Sequence, residues 1–278
     1  MKKIISLSFL ILSCSTIYGS IKRVRNLAYA DSGVFNLLDI YYPSKHKKPQ
    51  DVIVFIHGGS WESGSKDTYW FLGNNFARKG KILVTINYPL SPNANYQNMA
   101  LDCAKAIKWV KENIVNYGGN SNRIFVMGHS AGGHLAALIN QDPIYFKKLG
   151  IQNPIKGVIL DDPFGLDIHQ YMKLQINTND KYIPGFLKVF SDDEKNWMNA
   201  SPIYTVANIA NPYLLFVGDN TYESIKIQTP AYYQKLKENH KSVYFEEIKN
   251  KKHIAMISHM FFSWNQLYKK IINFMDNC

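Results

Sequence analysis

The sequence is poor in cysteine, and its composition excludes several classes of protein. It has 3 Cys among 278 residues, too few for a small domain held together by disulfides. A collagen-like chain is excluded because Gly does not recur at every third position, and disorder is excluded because 46% of the residues are hydrophobic. We therefore expect a globular protein with a substantial core, in one large domain or two small ones.

Long apolar runs are also missing. Lys2 and Lys3 precede residues 4–12, an uncharged run of nine residues that includes two serines. A membrane-spanning helix needs about 20 apolar residues, whereas this pattern is typical of a secretory signal peptide. We predict a signal peptide at residues 1–20 and a secreted or periplasmic protein. Residues 11–14 also resemble a bacterial lipobox, so a lipidated Cys14 stays open as the alternative to simple secretion, and any membrane attachment is expected only through that residue.

Acidic residues are outnumbered, since 32 Lys and Arg oppose 21 Asp and Glu and give a formal net charge of +11. Such a surplus suits nucleic acid, anionic lipid or simple solubility. The lysines occur singly or in pairs, with no long basic run and no base-stacking motif. We interpret the surplus as solvated surface and expect no nucleic-acid partner.

Motifs for metals and nucleotides are absent from the sequence. The eight His stand in no H-E-x-x-H or paired C-x-x-C context, and there is no G-x-x-x-x-G-K-[ST] loop. We predict no metal and no cofactor. Cys103 and Cys278 remain after the predicted signal peptide, and the sequence does not decide whether they pair.

From residue 37 onwards, apolar runs of strand length alternate with helical patterns. The predicted strands are 37–43, 51–56, 82–86, 123–127, 155–160, 213–217 and 242–248, and the predicted helices are 67–79, 99–115, 131–139, 227–238 and 258–275. This alternation predicts an α/β fold with a mostly parallel sheet flanked by helices. Residues 161–211 are too many for an ordinary loop, so we expect helices there, laid over the sheet edge as a lid.

The strongest chemical motif is Gly128-His129-Ser130-Ala131-Gly132, directly after a buried strand and before a helix. In such a tight turn, glycines avoid steric collision, and the strained backbone pushes the serine hydroxyl above the sheet. We predict that Ser130 is a catalytic nucleophile.

A second glycine motif, His57-Gly58-Gly59-Ser60-Trp61, also follows a strand. Acyl transfer creates an oxyanion, which unobstructed backbone N–H groups stabilise. We predict that Gly58, Gly59 and Ala131 form this oxyanion hole. His57 is interpreted as a structural anchor of the loop, and Trp61 as a pocket wall.

Four stretches carry a resemblance to a known family. They are LDIYYP at 38–43, VFIHGGSW at 54–61, NYPLSP at 87–92 and YGGNSNRIFVMGHSAGGHLAAL at 117–138. With them the chain resembles the esterase/lipase branch of the α/β-hydrolase superfamily, and the HGG-x-W form is similar to that of feruloyl esterases and arylformamidases. The resemblance implies one α/β-hydrolase domain at 21–278, with 161–211 as a lid-like insertion between the sixth and seventh strands of that fold, which are the strands predicted at 155–160 and 213–217.

The serine needs a base, and in this fold the chain order is Ser, acid, His. His253 follows the last predicted strand by five residues and matches the position found in the family that the chain resembles. We predict His253 as the base, with His259 as the alternative. For His129 and His134, beside the nucleophile, we expect packing or a local hydrogen bond.

The sequence differs from the family that it resembles at the position of the triad acid. In that family the acid stands three residues past the glycine that ends the penultimate strand. Here that position is Thr221. We predict Asp219, at the end of the strand, where a short carboxylate is held rigidly. Glu223 is the alternative, and Asp161 and Asp162 after the preceding strand also stay open.

Together these residues predict a serine hydrolase that cleaves a small-molecule carboxylic ester through an acyl-enzyme. The aromatic residues expected in the lid or pocket wall are Phe164, Tyr171, Tyr182, Phe186, Phe190 and Trp197. Two other functions stay open: an arylformamidase-like amide hydrolase, and a catalytically inactive binding module with the hydrolase fold.

Overall fold

The structure is a computed structural model and describes residues 20–31 and 33–278. Residues 1–19 of the predicted signal peptide, with Cys14, lie outside the described residues. None of the helices within the described ranges is long and apolar enough to cross a membrane. Cys103 and Cys278 are both free thiols in this part of the chain.

One eight-stranded sheet forms the centre of the protein. Its strands are β1 (Ile21–Ala28), β2 (Leu37–Pro43), β3 (Gln50–Ile56), β4 (Ile82–Ile86), β5 (Gly119–His129), β6 (Ile155–Asp161), β7 (Tyr213–Gly218) and β8 (Val243–Ile248). Their order is β1-β2-β4-β3-β5-β6-β7-β8. Within the described residues, β2 alone runs opposite to the other strands, so the predicted mostly parallel sheet is confirmed.

Helices cover both faces of the sheet. They are α1 (Trp70–Arg78), α2 (Tyr96–Asn113), α3 (Ala131–Gln141), α4 (Ile144–Lys148), α5 (Ile168–Gln175), α6 (Ile183–Phe190), α7 (Glu194–Asn199), α8 (Glu223–Glu238), α9 (His253–Ser258) and α10 (Gln266–Asp276). In β3, Val54 and Ile56 belong to one apolar cluster and Ile53 and Phe55 to another. Successive side chains point to opposite faces of a strand, so both faces are buried.

The insertion between β6 and β7 contains α5, α6 and α7, so the helices expected there are present. The aromatic side chains of Tyr171 on α5 and Phe186 on α6 line the cavity described below. The insertion therefore lies beside the carboxyl ends of the parallel strands, where α/β folds place their sites.

The end of the chain differs from the prediction of one helix at 258–275. The structure has α9, a 3-10 turn at His259–Phe261 and then α10. The second helix begins anew because the side chain of Asn265 accepts a hydrogen bond from the Leu267 N–H and so caps it. The apolar periodicity continues across the break, which is why the pattern alone did not reveal it.

Candidate active site

Ser130 sits at a sharp turn between β5 and α3. Its backbone has φ +55° and ψ −125°, a strained conformation for a residue with a side chain. A side chain at Gly128 would collide with the Gly132 carbonyl, and one at Gly132 would collide with the Ile56 carbonyl. Both glycines are therefore required for the turn that holds the serine.

His253, the first residue of α9, contacts the serine. Its Nε2 lies 2.8 Å from Ser130 Oγ, and its Nδ1 lies 2.6 Å from an oxygen of Asp162. Because an ionised carboxylate only accepts hydrogen bonds, Nδ1 carries the proton and Nε2 is left free to accept the Ser130 hydroxyl. This tautomer is the one that a general base requires.

Asp162 is the carboxylate that orients the imidazole. It follows β6 directly, is fully buried and has φ +50°. The Gly218 N–H donates to its Oδ1 across 2.8 Å, and the Thr221 hydroxyl donates to its Oδ2. With His253, three donors hold the carboxylate, which stabilises its charge in a buried place.

The prediction of Asp219 as the acid is wrong in the structure. Its carboxylate accepts from the Lys251 N–H across 3.1 Å, and backbone N–H groups of Asn250 and Lys251 lower the pKa of Asp219. The side chain points to the loop after β8 and fastens that loop, instead of reaching the imidazole. Asp219 thus supports the segment that leads to His253.

Glu223, His259 and Asp161 also lie away from the triad positions. Glu223 begins α8 and pairs with Lys226 across 2.6 Å. His259 Nδ1 lies 2.6 Å from Lys251 Nζ. Asp161, the last residue of β6, is fully buried in the core. None of the three contacts the Ser130 hydroxyl or the His253 ring through a hydrogen bond in the described part of the chain.

Sequence reasoning kept Asp162 open as an alternative but did not select it. The expected position three residues past Gly218 is occupied by Thr221, so another strand end has to supply the acid. β6 is the parallel neighbour of β7, and its first following residue is Asp162. Sequence reasoning missed the Thr221 contact because a threonine after a strand carries no signal of its own.

Three further histidines are buried and structural, as expected. His129 stacks on His253 with ring centroids 4.7 Å apart, and burial, then the His253 charge, lower the pKa of His129 to about 3. Burial also lowers the pKa of His57 and of His134 to about 4. His57 Nδ1 donates to the Gly58 carbonyl across 2.8 Å. All three rings are therefore neutral at physiological pH.

The glycine loop after β3 passes beside the nucleophile. A side chain at Gly58 would come within 2.9 Å of Ser130 Cβ. Gly59 has φ +123°, and its carbonyl accepts from the N–H of Ser63, which closes a tight turn. Gly58, Gly59 and Ala131 line the same cavity as Ser130.

A cavity of about 590 Å³ opens in front of Ser130 and His253, within the usual range for small-molecule sites. Its aromatic lining residues are Trp61, Tyr69, Phe71, Phe164, Tyr171, Tyr182, Phe186 and Tyr222. Four of the six aromatic residues expected in the wall are among them. Phe190 and Trp197 instead pack in the core.

Comparisons with known proteins give a family and several related chains. The family model described as BD-FAE matches residues 38–236. A probable isoprenylcysteine alpha-carbonyl methylesterase of Oryza sativa subsp. japonica is 39% identical over 41% of this chain and 27% of its own length. The probable carboxylic ester hydrolase LipM of Mycobacterium tuberculosis is 29% identical over 73% of this chain and 49% of its own length. The chain thus spans about a quarter to a half of these relatives.

Solved structures show the same fold. An inhibited esterase B from Lactobacillus rhamnosis has a TM-score of 0.80 at 19% identity, covering 92% of this chain and 87% of its own. A truncated carbohydrate esterase from gut microbiota has a TM-score of 0.78 at 21% identity, covering 95% and 98%. The chain therefore shares the α/β-hydrolase fold of these esterase structures.

Proposed function

The chain belongs to the BD-FAE family and has the fold of the esterase branch of the α/β-hydrolases, and on this basis we propose that it is a serine carboxylic ester hydrolase. One observation carries the proposal: the unbroken hydrogen-bond chain from Ser130 Oγ through His253 to Asp162. The esterase relatives support the same reaction class.

In the first half of the reaction, Ser130 Oγ attacks the carbonyl carbon of the ester while His253 Nε2 takes its proton. The imidazole becomes positively charged, and the Asp162 carboxylate stabilises that charge across 2.6 Å. His253 then gives the proton to the departing alcohol oxygen. An acyl group remains bonded to Ser130.

The oxyanion formed by the attack needs donors in place beforehand. We assign this role to the backbone N–H groups of Gly58, Gly59 and Ala131, which line the cavity with the serine. Such donors are fixed by the fold and need no reorganisation, so they stabilise the transition state more than the substrate.

Water completes the cycle. It enters the cavity, loses a proton to His253 Nε2 and attacks the acyl carbon, after which the proton returns to Ser130 Oγ as the acid leaves. His129 stays neutral because burial lowers its pKa to about 3. It stacks on His253 without competing for the proton.

The substrate class follows from the cavity. Its aromatic walls and moderate volume support an ester with a short or aromatic acyl group. Tyr222, with its ring centroid 4.9 Å from that of His253, lies where the acyl or alcohol part would contact the base.

The proposal is tested by measuring how fast purified protein hydrolyses p-nitrophenyl esters of increasing acyl length and N-formylkynurenine. We expect hydrolysis of the short esters, with Ser130→Ala reduced by about 10⁴-fold or more. Faster cleavage of the formamide would identify an amide hydrolase instead. No hydrolysis of any compound would leave a binding module.

We also propose that the protein is exported, through the predicted signal peptide at residues 1–20. The supporting pattern is the pair of lysines before the short uncharged run 4–12. Mass spectrometry of the mature N-terminus in the producing cell tests this. A start near residue 20 supports cleavage, a start at a lipidated Cys14 supports anchoring, and an intact Met1 contradicts export.

A further inference from the structure

A row of aromatic side chains, four of them exposed and Phe71 partly buried, lies on the surface beside the catalytic cavity. It consists of Trp70, Phe71, Phe261, Phe262 and Trp264, hereafter the aromatic row. Each ring contacts the next, with centroids between 4.9 and 6.3 Å apart. Isolated exposed apolar residues are ordinary, but a contiguous group of this kind marks a surface that binds something.

The exposure of these rings is large. Trp264 is 79% exposed, Phe261 52% and Phe262 45%. The row stands on the turn between α9 and α10 and on the start of α1. The Asn75 amide nitrogen fixes this turn by donating to the Phe261 carbonyl across 3.1 Å. The rings are therefore presented by a held backbone.

The row continues into the mouth of the catalytic cavity. Phe71 belongs to both, since it contacts Phe261 and lines the cavity. Ile254, 63% exposed, also lines the cavity and lies on α9 between His253 and the aromatic row. Whatever binds the row lies at the entrance to the cavity.

The two segments that carry the row are basic, with Asp67, Glu246, Glu247 and Asp276 just beyond their ends. Residues 68–81 and 248–275, which supply all five rings, contain eight Lys or Arg and no Asp or Glu. Three of these cations, Lys81, Lys249 and Lys270, pair with acids elsewhere in the described chain. The other five cations of these segments form no ion pair among the described residues. One of them, Lys251, lines a groove together with Phe262 and Trp264.

We propose that the aromatic row, with its flanking cations, docks the protein on a bilayer that contains anionic phospholipid. Trp and Phe rings settle at the boundary between headgroups and acyl chains, while Lys and Arg bind the anionic headgroups. A second copy of this chain fits the surface less well, because a symmetric contact would place the same positive charges against each other.

This docking does not depend on the proposed ester hydrolysis, although it extends it. With the row in the interface, the cavity mouth faces the lipid surface. Esters that partition into the bilayer then reach Ser130 without crossing water. This docking surface differs from a lipid anchor at Cys14, because it binds the bilayer through side chains of the folded domain and needs no attached lipid.

The test uses the full chain and compares Phe262→Ala/Trp264→Ala with Tyr244→Ala. Tyr244 is a suitable control because it is also an exposed ring, 54%, but lies near the start of β8, at the opposite end of the strand from the row. All three proteins keep residues 1–19, so any binding by that segment is common to them.

Binding is measured by co-sedimentation with vesicles of phosphatidylglycerol and phosphatidylcholine in equal parts, and with pure phosphatidylcholine. We expect the wild type and Tyr244→Ala to bind the anionic vesicles more strongly, and the double variant to bind them about tenfold or more weakly. High salt should weaken the binding of the wild type.

Equal binding by the double variant and the wild type, or no binding by either, overturns the proposal. A dimer in sedimentation equilibrium that the double variant loses, without vesicle binding, assigns the row to a second copy and also overturns it. Hydrolysis of soluble p-nitrophenyl acetate is followed in parallel and should be equal in all three proteins. Absence of that activity in all of them would contradict the proposed function and leave the docking result standing.

Discussion

The Thr221 hydroxyl donates a hydrogen bond to Asp162 Oδ2, the same oxygen that accepts from His253 Nδ1 across 2.6 Å. The two residues follow different strands, β7 and β6, which are parallel neighbours. The carboxylate comes from the end of β6, and the threonine after β7 supports it.

The first prediction concerns the identity of the acid. Asp162→Asn should reduce kcat by about 10⁴-fold, because an amide can present the wrong hydrogen-bonding group to the imidazole and carries no charge to stabilise it. Asp219→Asn is the matched control and should keep kcat within about threefold. Steady-state kinetics on a soluble p-nitrophenyl ester measures both. If Asp219→Asn instead loses most of its kcat and Asp162→Asn keeps it, Asp219 is the acid.

The second prediction concerns Thr221 as a positioning residue. Thr221→Val removes one of three donors to the Asp162 carboxylate, and kcat should fall by about tenfold, which corresponds to about 1.4 kcal/mol. KM should not change, because Thr221 does not line the cavity. Thr221→Ser keeps the hydroxyl and should recover the activity. If the serine variant is as slow as the valine variant, packing rather than the hydrogen bond explains the loss.

The third prediction concerns pH and the buried Asp161. Its carboxylate oxygens have no hydrogen-bond partner among the described residues, and burial, then the Asp162 charge, raise its pKa well above the usual value. The folded chain keeps a proton that the unfolded chain releases above about pH 4. Its contribution to stability is therefore complete below that pH and is lost as the pH rises toward the folded pKa.

Asp161→Asn removes this titration. Its free energy of unfolding, relative to the wild type, should rise with pH by up to about 1.4 kcal/mol per unit between the two pKa values. Urea unfolding at several pH values measures it. Asp219→Asn should show the opposite trend, since backbone N–H groups lower the pKa of Asp219 and its contribution is lost as the pH falls. If the difference in free energy of unfolding between Asp161→Asn and the wild type does not change with pH, the raised pKa of Asp161 is contradicted.

The fourth prediction concerns the glycines of the nucleophile turn. Gly132→Ala places a methyl group against the Ile56 carbonyl. We expect the free energy of unfolding to fall by more than about 3 kcal/mol and ester hydrolysis to be lost. Gly150→Ala is the control, because Gly150 has φ +70° but no atom within 4 Å of the added carbon. It should cost only about 1–2 kcal/mol. Thermal unfolding compares them, and equal costs would contradict the steric argument.

Much of the fold followed from the sequence wherever burial was complete. The run 82–86 is apolar and mostly β-branched, and the structure has β4 over the same residues. β1 was missed because Ile21–Ala28 mixes basic and apolar residues at an exposed sheet edge, without the strict alternation of a half-buried strand. Edge strands depend on their neighbour for pairing, which the local pattern does not record.

Some residues of the site could likewise be predicted from the sequence and others could not. Ser130 stood in a motif whose local geometry dictates its position, and His253 was predicted from its place after the last strand and from the family resemblance. The structure brings Ser130 Oγ and His253 Nε2 within 2.8 Å. The acid depended on which of several strand-end carboxylates turns toward the imidazole. That choice rests on the φ of +50° at Asp162 and on the Gly218 N–H that receives its side chain, and neither is visible in sequence.

Labelling with a fluorophosphonate probe tests the central claim most directly, because the probe reacts with a serine only when a base activates it. Peptide mass spectrometry of the labelled wild type should locate the adduct on Ser130, and the rate of labelling should fall strongly in His253→Ala. Ser130→Ala should take up no probe. An adduct on another residue, or labelling of Ser130 at an undiminished rate without His253, would contradict the account.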